Sequence, residues 1–140
     1  KMGYKNRAYV IDNNLILSKN QALPAASGNV DSTNVVKYGG NSLGYAKIVV
    51  KAHDTITIAK DKALTIKASY GSTSSPTDTL NKVLYTATAG DSGITFAPGD
   101  TICEEIIPDS LPDNYKYVKL NYAVTADQSA GHIDAYVVMT

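Results

Sequence analysis

Two histidines, one cysteine and scattered carboxylates are the groups in this sequence with chemistry to offer, and their spacing argues against a catalytic centre. His53 stands beside Asp54 and His132 follows Gly131. Neither falls in a metal-ligand spacing such as His-Glu-x-x-His or near a cysteine pair, so both are expected at strand ends on the surface. Cys103 has no partner for an intramolecular disulfide, and its apolar setting, Thr101-Ile102-Cys103, predicts a small buried hydrophobe that alanine could replace. Glu104 and Glu105 are consecutive in a predicted strand, so their carboxylates point to opposite faces and cannot share a site. Geometry alone could assemble a Ser-His-Asp set from any serine, but there is no Gly-x-Ser-x-Gly elbow. Gly39-Gly40 lacks the Lys-Ser/Thr of a phosphate loop and reads as a turn. Asp12-Asn13-Asn14 and Asp109-Ser110-Leu111-Pro112-Asp113 are oxygen-rich, yet neither completes a calcium loop. The expectation is a protein that is not an enzyme and needs no cofactor or metal.

The remaining chemistry is that of surfaces. Ten tyrosines without a tryptophan could build a sugar-binding face, since each ring offers apolar area with a polar tip. Tyr70 and Tyr122, however, fall on the apolar sides of predicted strands, where packing explains them more simply. Residues 1–12 read as an extended arm preceding a domain over 13–140. Tyr4, Lys5, Arg7 and Tyr9 give that arm two aromatic anchors and two cations, the residue types that hold interfaces. A frayed terminus is the plain alternative.

The elements that position these residues are strands. Residues 46–52 alternate Ala46, Ile48, Val50 and Ala52 against Lys47, Val49 and Lys51, and residues 63–70 set Leu64, Ile66, Ala68 and Tyr70 against Thr65, Lys67 and Ser69. Both predict sheet with one wet face. Residues 116–124 place Val118, Leu120, Tyr122 and Val124 opposite Tyr117, Lys119, Asn121 and Ala123, and residues 132–139 place Ile133, Ala135, Val137 and Met139 opposite His132, Asp134, Tyr136 and Val138. The polar turn 126–131 between them predicts an antiparallel hairpin. Weaker strands are expected near 14–18, 30–37, 55–59, 82–88 and 101–107. No window carries a helical stripe. Eight or nine short strands at regular spacing predict an all-β, antiparallel single-domain sandwich or jelly roll. Residues 71–78 read as an exposed loop, and Ala97-Pro98-Gly99-Asp100 as a turn.

Composition bounds the partners. The 140 residues carry 13 Lys plus Arg and 13 Asp plus Glu, a formal net charge of zero. No overall field draws the chain to nucleic acid or membrane, and neither partner is expected. No apolar run has the length of a membrane helix and no apolar leader opens the chain, so a soluble protein without an export signal is expected. Because Met2 follows Lys1, the first residue is not expected to be the translational start.

Gln21-Ala22-Leu23, followed by Asp31-Ser32-Thr33-Asn34-Val35-Val36, resembles the N-terminal part of a family of tailed-phage capsid decoration (cement) proteins. So do Leu111-Pro112, Tyr117-Val118-Lys119-Leu120-Asn121-Tyr122-Ala123-Val124-Thr125 and Ala130-Gly131-His132-Ile133-Asp134-Ala135-Tyr136-Val137-Val138. The likeness covers under half of the chain. Lys37-Tyr38 departs from the family's Asp-Leu, and residues 71–100 give nothing to align. The resemblance implies a jelly-roll trimer on the capsid exterior, assembled in the host cytoplasm, that bridges neighbouring major capsid proteins. On that reading Tyr115, Tyr117, Lys119, Asn121 and Tyr136 are candidates for trimer contacts or core strand packing. A carbohydrate-binding or head-fibre adhesion module is the alternative.

Overall fold

The computed structural model describes residues 15–24, 27–38, 46–75, 80–108, 111, 114–125 and 131–139. Eleven strands run through them: β1 (Ile16–Ala22), β2 (Gly28–Asp31), β3 (Val36–Lys37), β4 (Ala46–Ala52), β5 (Ile56–Ile58), β6 (Ala63–Gly71), β7 (Leu80–Thr88), β8 (Ile94–Phe96), β9 (Thr101–Ile106), β10 (Tyr117–Val124) and β11 (His132–Met139). The expected all-β class holds, and the described residues contain no α-helix. There are more strands than the eight or nine expected. The 30–37 segment divides into β2 and β3, and the three-residue β8 is too short to show a period.

Every pairing is antiparallel, in sheets ordered β1-β11-β4-β9 and β2-β10-β6-β7, with β3 also on β10 and a separate β5-β8 ribbon. Apart from the three short strands, this is the eight-stranded jelly-roll order. First and last strands are neighbours, and consecutive long strands pass between sheets except β6 and β7, which pair with each other. The expected β10–β11 hairpin is therefore wrong. Both edges of β10 are occupied by β2, β3 and β6, and both edges of β11 by β1 and β4, so the 126–131 segment joins opposite sheets.

The two-residue period decides what is buried. Ile48 and Val50 of β4, Leu64, Ile66 and Ala68 of β6, Val118, Leu120 and Tyr122 of β10, and Ile133, Ala135 and Val137 of β11 enter one core between the sheets. Burying side chains of this size contributes about 1.5–3 kcal/mol each, before the entropy cost of ordering them. The wet face expected for β4 is only partly wet. Val49 is fully buried, in a second cluster with Tyr136 and Val138, and Ile16 packs against it.

Polar side chains fasten the corner where β1 leads into β2. Gln21 Oε1 accepts from Ser18 Oγ at 2.5 Å and Thr33 N at 2.9 Å, while its Nε2 donates to Asp31 O at 2.8 Å. Asn34 donates through N to Leu17 O at 3.0 Å and through Nδ2 to Ile16 O at 3.1 Å. Ser32 fills the break between β2 and β3: its N–H donates to Leu120 O at 2.7 Å and its Oγ accepts from Leu120 N at 3.0 Å. Without that hydroxyl, a buried N–H of the central strand would be orphaned. Because the Ser18 proton goes to Gln21, the hydroxyl of Tyr122 donates to Ser18 Oγ, at 2.8 Å, tying β10 to the opposite sheet. Tyr70 is equally buried, but its hydroxyl has no partner among the described residues.

The two tyrosines should therefore respond differently to loss of the hydroxyl. Tyr122→Phe is expected to cost about 1 kcal/mol, and Ser18→Ala, which strands a buried hydroxyl, about 1–3 kcal/mol. Tyr70→Phe should be neutral or stabilising. Urea unfolding of the three variants checks the ranking, and a Tyr70→Phe loss equal to that of Tyr122→Phe would contradict it.

Candidate functional site

The core period leaves Tyr117, Lys119, Asn121 and Ala123 of β10 on the outer face of the β2-β10-β6-β7 sheet. Register places Lys119 beside Ser69, which pairs with Asn81, and Asn121 between Asp31 and Lys67. Asn29, Asp31, Lys67, Ser69, Asn81, Lys119 and Asn121 line a shallow depression of about 320 Å³. Asn121 Nδ2 donates to Asn29 Oδ1 at 3.0 Å and Asp31 Oδ1 at 2.9 Å, Lys119 Nζ lies 3.4 Å from Asp31 Oδ2, and Ser69 Oγ donates to Asn81 Oδ1 at 2.7 Å. The Asn121 hydrogen bond holds the Asp31 carboxyl below its ordinary value, outweighing the partial burial that pushes it up, and the Lys119 ammonium adds to the effect. Lys67 forms no ion pair among the described residues.

Beside this face runs the edge formed by β7 and β9, where Leu80, Val83 and Ile106 are 50%, 50% and 55% exposed. Lys82 and Glu105 sit opposite Ala68 and Ile48, residues of the core, and so turn inward. They meet at 3.3 Å across the gap between the sheets. An inward charge pair and the register shifts in both edge pairings are devices that discourage uncontrolled edge-to-edge pairing. Cys103, expected to be buried, is only half-buried at this margin. Burial, then Glu105 and Glu104, pushes its thiol up to about 12, far from a reactive thiolate. Glu104 and Glu105 diverge as expected, Glu104 pairing with Lys47 at 3.2 Å.

The outer face of the other sheet carries two histidine–aspartate pairs. His53 Nδ1 lies 2.9 Å from Asp134 Oδ2, and Asp134 Oδ1 accepts from Asn20 N at 2.7 Å. Asp54 accepts from both the N–H and Nδ1 of His132, each at 2.7 Å. His53, Asp134, Ser18, Lys19, Ile16 and Tyr136 line a depression of about 270 Å³. A serine, a histidine and an aspartate thus share one wall. The Ser18 hydroxyl, however, is engaged by Gln21 and Tyr122 rather than by His53, so no nucleophile is activated. Among the described residues no group of three or more His, Cys, Asp or Glu could hold a metal ion.

Tyr117, Lys119 and Asn121 therefore share one polar face. Tyr115 instead packs against the core, its carbonyl accepting from the Tyr38 hydroxyl at 2.6 Å. Tyr136 belongs to the cluster on the opposite sheet. Tyr4, Lys5, Arg7 and Tyr9, with the whole of the expected arm over 1–12, lie outside the described residues. Sequence reasoning missed Asn29, Asp31, Lys67, Ser69 and Asn81, which come from three other strands, and the apolar edge at Leu80, Val83 and Ile106. Of the polar residues, Lys67 and Ser69, on the predicted wet face of 63–70, carried a signal.

No family model and no curated protein matches the sequence. Among solved structures, the chain is similar to a structure of the infectious bursal disease virus Gx strain, with a TM-score of 0.49 and 10% identity over 88% of this chain and 30% of that one. It is also similar to a crystal structure of an infectious bursal disease virus VP2 subviral particle, with a TM-score of 0.40 and 12% identity over 88% of this chain and 30% of that one. The chain thus spans under a third of either.

Asp54 gives the face a pH dependence. The His132 backbone hydrogen bond, chief among its contacts, lowers the Asp54 pKa in the folded chain. A depressed carboxylate contributes stability above its unfolded pKa and loses it as pH falls through the folded value. Asp54→Asn should therefore be less stable than the parent at neutral pH and equal to it in acid. Urea midpoints measured from neutral pH downwards should converge, whereas a constant gap would mean that the carboxylate charge is irrelevant.

Proposed function

We propose that this chain is a structural virion protein that binds the outside of a tailed-phage capsid as a trimer and stabilises the shell by bridging neighbouring major capsid proteins. It acts without catalysis or a cofactor. The observation that carries this reading is the β7–β9 edge, where Leu80, Val83 and Ile106 expose apolar area drawn from both sheets. Exposed aliphatic groups on the two edge strands, with a charged pair between those strands, suit a protein contact. The inward Lys82–Glu105 pair restrains open-ended strand addition, which favours a contact that closes on itself. The sequence resemblance supports the same reading, because its C-terminal segments fall on β10 and β11, strands interior to both sheets.

In this reading the edge joins copies of the chain, and Tyr4, Lys5, Arg7 and Tyr9 anchor each copy to the shell. Tyr115 and Tyr136 serve packing. Stabilisation is mass action: each bound trimer adds contacts available only to the assembled shell, and so favours that state over dissociation.

Light scattering should give a mass near three chains, and Val83→Lys with Ile106→Lys should yield folded monomers. Deleting residues 1–10 should leave the trimer and its melting temperature nearly unchanged while sharply weakening rebinding to heads of the encoding phage. A parent chain that stays monomeric as its concentration is raised, or a truncated chain that decorates heads as tightly as the parent, would overturn the corresponding half of the reading.

A further inference from the structure

We infer that the outer face of the β2-β10-β6-β7 sheet is a saccharide site that takes a carboxylate-bearing sugar. The inference does not depend on attachment to a shell. Lys37, Lys67 and Lys119 lie on this face with Asp31 as the opposing charge, an excess of cations on a chain whose formal net charge is zero. The excess attracts an anion, and the arrangement of the polar groups specifies what kind.

The depression has two halves. On one side, the Lys67 ammonium has no ion-pair partner among the described residues, and the Asn81 carbonyl oxygen already accepts from Ser69, so Asn81 presents its N–H groups. That half is made of donors and suits a carboxylate. On the other side, Asn121 Nδ2 donates to both Asn29 and Asp31, which leaves Asn121 Oδ1 and the remaining Asp31 lone pairs as acceptors beside the Asn29 N–H groups. Donors and acceptors side by side match neighbouring sugar hydroxyls, each of which both gives and takes a proton. The mutual hydrogen bonds hold these side chains in place before a ligand arrives, which reduces the entropy cost of binding.

Other partners fit less well. A protein contact needs buried aromatic or aliphatic anchors, and Val83 is the one exposed large hydrophobic residue on this face among those described. A nucleic acid would bring its phosphates against the Asp31 carboxylate, and Tyr117, the partly exposed ring on the described part of the face, lies outside the lining of the depression. The depression, at about 320 Å³, is at the lower end of small-ligand pockets and suits one or two sugar units.

Calorimetry and amide NMR on the full chain test the site, with tetragalacturonate and trisialate as probes and carboxyl-reduced tetragalacturonate as the neutral control. At least one acidic probe should bind, shifting amides of β6, β7 and β10, and the reduced probe should bind at least about tenfold more weakly, as loss of a charge-assisted contact requires. Lys67→Met should weaken the acidic probe by a similar factor and leave the reduced one unaffected. Asn121→Ala should weaken both, and Lys60→Ala, in the turn after β5, should change nothing. Thermal melts confirm that the variants are folded. No binding of either acidic probe, equal binding of the reduced probe, or full binding by Lys67→Met would overturn the inference. So would a sulfated dextran oligomer that binds as tightly and is insensitive to Asn121→Ala, since that is ion exchange on lysines. None of these outcomes bears on the trimer or on rebinding to heads.

Discussion

The apolar rows of β10 and β11 are buried in the same core from opposite sheets, and the exposed surface follows from how they are seated. With Leu120 and Tyr122 inward, Lys119 and Asn121 must face out; with Ala135 and Val137 inward, Tyr136 must lie on the far face of the other sheet. A slip of one residue in either strand would exchange core for surface. The polar face and the His–Asp face are thus consequences of core burial, held in register by side chains that touch neither.

That arrangement explains which parts of the sequence were informative. β4, β6, β10 and β11 were legible because each alternates cleanly for seven or more residues. β8 was not, having only Ile94-Thr95-Phe96. Val49 was misjudged because alternation reports which face a side chain is on, not whether that face is covered. The hairpin expected between β10 and β11 failed for a topological reason. A short polar turn can close a hairpin or cross a sandwich, and local sequence does not record whether the flanking strand edges are already occupied.

The polar segments behave in the same way. Gln21, Ser32, Thr33 and Asn34 carry part of the family resemblance, and the structure uses them to lace β1 to the strands beside β10. Their pattern is a pattern of corner-making, informative about fold and silent about partners. Of the polar face, β10 supplied the part that was legible, Lys119 and Asn121. Asn29, Asp31 and Asn81 sit in short or irregular segments whose neighbours are set by strand order alone, and the apolar edge exists only because β7 and β9 finish their respective sheets.

The position of β10 and β11 in the chain also affects how the protein is made. Ile16 must pair with Tyr136, and Val30 with Tyr122, so β1 and β2 wait for the last strands described here before they are paired. Until then both sheets lack an interior strand, and β1 has no partner among the described strands. Closing loops of such length before any native contact repays them makes folding slow. The nascent chain is correspondingly exposed to misassembly with its neighbours on the same message for as long as β10 and β11 are unmade.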